Sequence, residues 1–234
     1  MSMPVAVKVK ICGLTNLADA KTAVSAGADY LGFIFYPPSK RSITPQAAKA
    51  IVAQLRQADD CPLLVGVFVN ETAVTMARTL DECDLDLAQL SGEEVPSLIG
   101  DKGSAIYGRC YKALRPTSLD EAEADAEWYL PPQFSSQPPA RRPDQPGLLI
   151  DTYHPTLRGG TGATGDWSLS AALANKVPNL MLAGGLTAVN VAQAVRQVQP
   201  YAVDVASGIE ASPGQKDHEQ LVAFIQQAKE MGSR

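Results

Sequence analysis

The feature that most constrains this chain is a pattern repeated eight times. A short run rich in Val, Ile, Leu, Phe or Tyr is followed each time by a segment with helical periodicity. The apolar runs are Val7–Cys12, Tyr30–Phe35, Leu63–Val69, Leu87–Leu90, Ile106–Ala113, Leu148–Asp151, Leu180–Ala183 and Ala202–Ala206. Helical segments begin near Asn16, Pro45, Glu71, Glu93, Ser118, Asp166, Thr187 and Asp217. Thr44-Pro45 reads as an N-cap followed by a first-turn proline, and Asn70 and Asp217 are also able to cap. Strands alternating with helices call for a parallel sheet with helices outside it. Eight such units in 234 residues fit one (β/α)8 barrel (TIM barrel) domain spanning residues 1–234. An open doubly wound sheet is the alternative. It has fewer strands and needs a crevice where strand order reverses.

One stretch breaks the pattern. Residues 128–147 hold six of the 17 prolines, and they read as an irregular insertion between the fifth helix and the sixth strand. That places the insertion opposite the C-terminal strand ends, with no catalytic role. Charge and cysteine usage exclude several classes. The net charge is -5 and the basic residues are scattered, which argues against nucleic acid or an anionic membrane as partner. No apolar stretch approaches the roughly 20 residues of a membrane span, and the start of the chain lacks the apolar region of a secretory signal. A cytoplasmic protein is expected. The four cysteines have no CxxC spacing, and His154 and His218 are isolated, so neither a metal site nor a disulfide framework is expected.

In a barrel of this kind the reacting groups sit where strands end and in the loops that follow. Cys12 ends the first strand. Alternation puts Val7, Val9 and Ile11 on one face and Lys8, Lys10 and Cys12 on the other. Packing the apolar set on the helices turns the lysines and Cys12 into the barrel. A thiol near an ammonium tends to have a lowered pKa, yet a buried filler is an equally good reading of the same position. Asp151 ends the sixth strand after three aliphatic residues, as a loop cap or a site acid. Asp204 lies between two valines that face the helices, so it points inward and needs a partner. A salt bridge to an interior lysine is favoured over catalysis. Arg41, in the loop after the second strand, suits a carboxylate or phosphate. Glycines in Ala183–Thr187 and Val205–Glu210 follow strands seven and eight, where such barrels hold phosphate. The run Gly160–Gly165 matches G-x-G-x-x-G, but no strand directly precedes it and no acid stands about 20 positions on. It reads as a lid or a plain connection rather than a nucleotide site.

These stretches resemble a known family. "VKICGLTN", "GADYLGFIFYPPSKRSI", "VGVFVNE", "AQLSGEE", "LLIDT", "GGTGATGDWSL", "LAGGL" and "AVDVASGIEASPGQKDH" occur in order, as in the phosphoribosylanthranilate isomerases of tryptophan biosynthesis. The resemblance implies a (β/α)8 barrel that performs an Amadori rearrangement on a small phosphorylated substrate, without cofactor or metal, as a monomer or homodimer. It implies that Cys12 is the general base and Asp151 the general acid. Arg41 would hold the anthranilate carboxylate. Gly184, Gly185, Ser207 and Gly208 would grip the phosphate, and Asp204 would move towards the site. Such chemistry asks for a Cys12 pKa below the free value of about 8.5 and an Asp151 pKa above about 3.9. One departure is visible: the family usually has Gln-Leu-His-Gly where this chain has Gln89-Leu90-Ser91-Gly92. The nearest rival is the histidine-pathway Amadori isomerase, which uses an aspartate where Cys12 stands. A non-catalytic barrel that binds a phosphorylated ligand would have no need of Cys12 and Asp151 together.

Overall fold

The computed structural model describes residues 7–130, 144–151 and 167–232. Eight parallel strands close into a barrel: β1 Lys8–Ile11, β2 Tyr30–Ile34, β3 Leu63–Phe68, β4 Leu87–Leu90, β5 Cys110–Leu114, β6 Leu148–Asp151, β7 Met181–Ala183 and β8 Ala202–Val205. Neighbours in sequence are neighbours in the barrel, and β1 pairs with β8 to close it, setting Lys10 opposite Asp204. The helices between them are α1 Leu17–Ser25, α2 Pro45–Leu55, α3 Ala73–Cys83, α4 Ser97–Gly100, α5 Leu119–Tyr129, α6 Ser168–Ala174, α7 Val191–Val198 and α8 His218–Gly232. A small antiparallel pair, β9 Glu210–Ser212 and β10 Gln215–Lys216, follows β8.

Local chemistry starts the helices. Asn16 accepts from the Asp19 amide at 2.9 Å and Thr44 from the Ala47 amide at 3.2 Å, with Pro45 opening α2. Asp217 caps α8 through the Glu219 and Gln220 amides. Asn70 does not cap α3. It takes a left-handed backbone (φ 55°), and Thr72 caps instead by accepting from the Thr75 amide.

Side-chain alternation divides the core into two layers. Val7, Val9 and Ile11 pack outward with Phe224, Ile225 and other helix residues. Tyr30, Val65, Leu87, Tyr111, Leu149, Met181 and Ala202 fill the barrel interior. Asp151 lies two residues beyond Leu149, and Asp204 two beyond Ala202, so both continue the inward face towards the mouth.

At the N-terminal end, the chain leading into β6 forms the floor. Tyr30 Oη donates to the Asp144 carbonyl at 2.5 Å, and buried Gln145 donates from Nε2 to the Cys110 carbonyl at 2.8 Å. Asn179 Nδ2 donates to the Gln145 carbonyl at 3.0 Å. These residues are the C-terminal tail of the proline-rich stretch; residues 131–143 lie outside the described residues, as do His154 and the glycine run 160–165. No described helix is long and apolar enough to cross a membrane.

Candidate active site

Cys12 follows β1 directly, its amide donating to the Val205 carbonyl at 2.8 Å, and is 5% exposed. Its side chain shares a small space with Lys10. A Cβ added at Gly32, on neighbouring β2, would stand 2.8 Å from Cys12 Sγ and 3.2 Å from Lys10 Nζ. Glycine at position 32 is what lets thiol and ammonium lie side by side. Lys10 Nζ in turn pairs with Asp204 Oδ1 at 2.9 Å. This is the interior salt bridge that strand alternation predicts for Asp204. Burial alone would lower the Lys10 pKa. The Asp204 carboxylate, with the Cys12 and Tyr111 side chains, outweighs it and holds the lysine above its ordinary range.

The thiol itself differs from expectation. Burial pushes the Cys12 pKa up. Lys10 and, more weakly, Lys216 pull it down, while Asp204 pushes the same way as burial, and the balance lies above the ordinary thiol value. The neighbouring ammonium does not overcome desolvation, partly because a carboxylate already neutralises it.

A cavity of about 310 Å³ opens at the mouth between β6, β7 and β8. Asp151, Ala183, Gly184, Gly185, Leu186, Asp204, Ser207 and Gly208 line it, with Val205 and Ala206. It gathers six residues that sequence reasoning named. Gly184 and Gly185 have left-handed backbones (φ 97° and 63°), the turn that frees their amides from the strand ladder. A Cβ on Gly208 would fall 1.8 Å from the Leu186 carbonyl oxygen, so the loops after β7 and β8 touch there and no other residue fits. Backbone amides presented by such touching loops make an anion site. Asp151 is partly exposed to this cavity and lies 3.6 Å from Arg115 Nε, a mostly solvent-exposed group.

Arg41, in the loop after β2, lays its stem against Gly13, the residue after Cys12. Its Nε donates to Glu210 Oε1 at 2.8 Å and its Nη2 to Oε2 at 2.7 Å, a two-pronged ion pair. Lys216 Nζ reaches the same carboxylate at 3.1 Å and the Ala206 carbonyl at 2.9 Å. Burial would raise the Glu210 pKa, but Arg41 and Lys216 hold it below the usual carboxylate range. Burial lowers Lys216 below the usual lysine range despite Glu210. One edge of the guanidinium expected to take a substrate carboxylate is therefore already engaged by the protein.

The family model for N-(5'-phosphoribosyl)anthranilate (PRA) isomerase matches residues 9–227. The chain belongs to the N-(5'-phosphoribosyl)anthranilate isomerase family. A relative of that name from Pelobacter propionicus is 44% identical over 229 residues, 97% of this chain and 98% of its own. Among solved structures, monomers of the dimeric phosphoribosylanthranilate isomerase of Thermotoga maritima are 38% identical with a TM-score of 0.77, covering 96% of this chain and 99% of theirs. A phosphoribosylanthranilate isomerase in complex with reduced 1-(o-carboxyphenylamino)-1-deoxyribulose 5-phosphate is 36% identical with a TM-score of 0.77, at the same coverage.

Within this isomerase fold, Ser91 takes a modest place: its hydroxyl accepts from Gln89 Nε2 at 3.1 Å and its amide donates to the Phe68 carbonyl at 2.8 Å. The loop that carries it is pinned from below. Buried Lys112 bonds the Leu90 and Gly92 carbonyls and pairs with Glu94 at 2.8 Å, and Glu94 also accepts from the Asn70 and Gly92 amides. Sequence reasoning missed Glu210, Lys216, Glu94 and Lys112. Lys216 stands between Gln215 and Asp217 and Lys112 between Tyr111 and Ala113; both are buried charges, and no spacing marks them.

Proposed function

We propose that this isomerase converts N-(5-phosphoribosyl)anthranilate to 1-(2-carboxyphenylamino)-1-deoxyribulose 5-phosphate, with Asp151 as general acid and Cys12 as general base. The observation that carries the reading is the cavity in which Asp151 shares one wall with the glycine loops after β7 and β8. A phosphate seated on those loops leaves the sugar between Asp151 and the β1 side, where Cys12 and Lys10 lie.

The chemistry follows from that placement. Asp151 gives its proton to the furanose ring oxygen. The C1–O bond breaks, and the nitrogen lone pair forms an iminium with C1. That cation acidifies the proton on C2. Cys12, as thiolate, takes it, and the electron pair left on C2 forms the C1–C2 double bond while the iminium pair returns to nitrogen. The resulting enolamine tautomerises: the C2 hydroxyl loses its proton as C1 gains one, giving the ketone. The nitrogen serves as the electron sink throughout. Burial raises the Cys12 pKa. The iminium adds a positive charge close to the C2 proton, and a nearby cation favours the thiolate. Asp204 acts by fixing Lys10 beside the thiol, and Arg41 takes the anthranilate carboxylate on the edge that Glu210 leaves open.

Turnover tests this reading directly. The substrate is generated in situ and its loss of fluorescence is followed for the wild-type protein, Cys12→Ser and Asp151→Asn. Wild-type protein turns over, and each variant loses about 10²-fold or more. An inert wild type, or near-normal turnover by either variant, overturns the assignment.

A further inference from the structure

Glu210 is charged, 5% exposed at its side chain, and lies outside the cavity that holds Asp151. It meets two cations at once. Arg41 covers it along one edge of the guanidinium, through Nε and Nη2, and Lys216 reaches it from β10. The Gly214 amide adds a longer bond at 3.3 Å. A guanidinium has a second edge of parallel donors, made by Nη1 and the remaining hydrogen of Nη2. No hydrogen bond engages Nη1 among the described residues. The stem of Arg41 is fixed as well. A Cβ on Gly13 would lie 2.8 Å from Arg41 Cδ and 3.3 Å from its Cβ, so the stem crosses directly over the turn after Cys12. Stem and one edge are held, and the other edge is left open. The charges point the same way. Arg41 and Lys216 against Glu210 leave one positive charge, which a single carboxylate would balance.

We propose that Glu210 is a positioning residue for substrate recognition: it holds Arg41 by one edge so that the other is presented to the aryl carboxylate of the substrate. Through Lys216, which also bonds the Ala206 carbonyl, it ties that grip to the backbone entering the loop that faces the phosphate. The two anionic ends of the substrate are thereby set at a fixed separation by one buried ion cluster. The proposal rests on the reading of Arg41 given above.

The experiment compares two substrates in each variant: N-(5-phosphoribosyl)anthranilate and its aniline analogue, which lacks the carboxylate. The quantity read is the ratio of the two kcat/KM values. That ratio is independent of the fraction of protein that is folded. In Glu210→Gln, kcat/KM for the carboxylated substrate falls about 10- to 100-fold, the scale of a small misplacement of a bound group, and the aniline analogue loses far less. Arg41→Ala shows the same selectivity. If Glu210→Gln lowers both substrates equally, or neither, while Arg41→Ala remains selective, Glu210 is structural only and the proposal is overturned with the Arg41 reading intact. If Arg41→Ala itself does not distinguish the two substrates, the Arg41 reading falls and takes the proposal with it.

Discussion

At the floor of the barrel Lys8 lies 5.4 Å from the Tyr201 ring centroid and 5.8 Å from that of Tyr30, whose hydroxyl is bonded to the Asp144 carbonyl. Two residues further along the same strand, Lys10 is fully buried, paired with Asp204 and set against the Cys12 thiol. The strands are the same and the alternation is the same, but the floor is closed by aromatic rings and main-chain hydrogen bonds, while the mouth carries buried charge. Desolvating an ion costs several kcal/mol, and a buried pair recovers this only with good geometry. Stability alone would favour apolar side chains at both ends. On the mechanism proposed above the mouth keeps its buried charges for the chemistry, while the floor, which has none to perform, leaves Lys8 only partly buried over aromatic rings.

The sharpest way to break that contrast is Lys10→Met. It leaves Asp204 charged and without its partner, and it costs about 3–5 kcal/mol in a denaturant melt. The double change Lys10→Met/Asp204→Leu recovers most of that stability without recovering turnover. Recovery of both would mean that the pair has no part in the chemistry. The same charges set the thiol. Lys10 lowers the Cys12 pKa and Asp204 raises it. Lys10→Met therefore moves the Cys12 titration further up, and Asp204→Asn moves it down, read as ultraviolet thiolate absorbance against a Cys12→Ala reference. Shifts of the same sign in both variants would refute this electrostatic account.

The glycine loops give a smaller effect, confined to the mouth. Gly208→Ala drives a Cβ into the Leu186 carbonyl and separates the two loops. Losing one charge-assisted hydrogen bond to phosphate costs about 1.5–3 kcal/mol, or about 10- to 100-fold in affinity. Gly185→Ala meets no atom within 4 Å and is strained only by its φ of 63°, so it costs about 1–2 kcal/mol of stability. Inhibition constants for inorganic phosphate in the two variants rank them; a larger loss for Gly185→Ala would contradict the contact between loops.

Much of this was legible in the chain because strand ends are local. Cys12 and Asp151 are found by asking which reactive residue ends an apolar run, and Asp204 by period-two alternation. Three elements start later than expected, one of them the helix expected near Thr187, which begins at Val191 after the Thr187 amide bonds Asn190 Oδ1 at 2.8 Å. The expected strand Ile106–Ala113 starts only at Cys110, because Gly108 has a φ of 75° and Ile106–Arg109 closes a turn with a 3.0 Å bond. The helix expected near Glu93 is short and starts at Ser97, since Glu94 is drawn away to Lys112 and the Asn70 and Gly92 amides. The strand miss is a local turn hidden in an apolar run, whereas the Glu93 miss comes from a helix-forming residue recruited by partners distant in sequence. The same holds for Glu210, whose partner Arg41 lies 169 residues away; no local period records such a pair. The upward shift of the Cys12 pKa was not legible for a related reason. The adjacent lysine is visible in sequence, but its neutralisation by Asp204 across the β1–β8 closure is not.

The smallest effect belongs to the floor and isolates it from the mouth. Tyr30→Phe removes one hydroxyl and keeps the ring that packs beneath the barrel interior. It leaves the Asp144 carbonyl without its donor, at a cost of about 1 kcal/mol. Nothing at the mouth depends on that bond: Tyr30 heads β2, whereas Gly32, which makes room for Cys12 and Lys10, is two residues on and continues to pair with Val65. The variant should melt earlier by a few degrees, as expected for a domain of this size, with kcat and KM unchanged. A loss of kcat without a change in melting would show that the floor transmits strain to the thiol, and the separation between a structural floor and a chemical mouth would then fail.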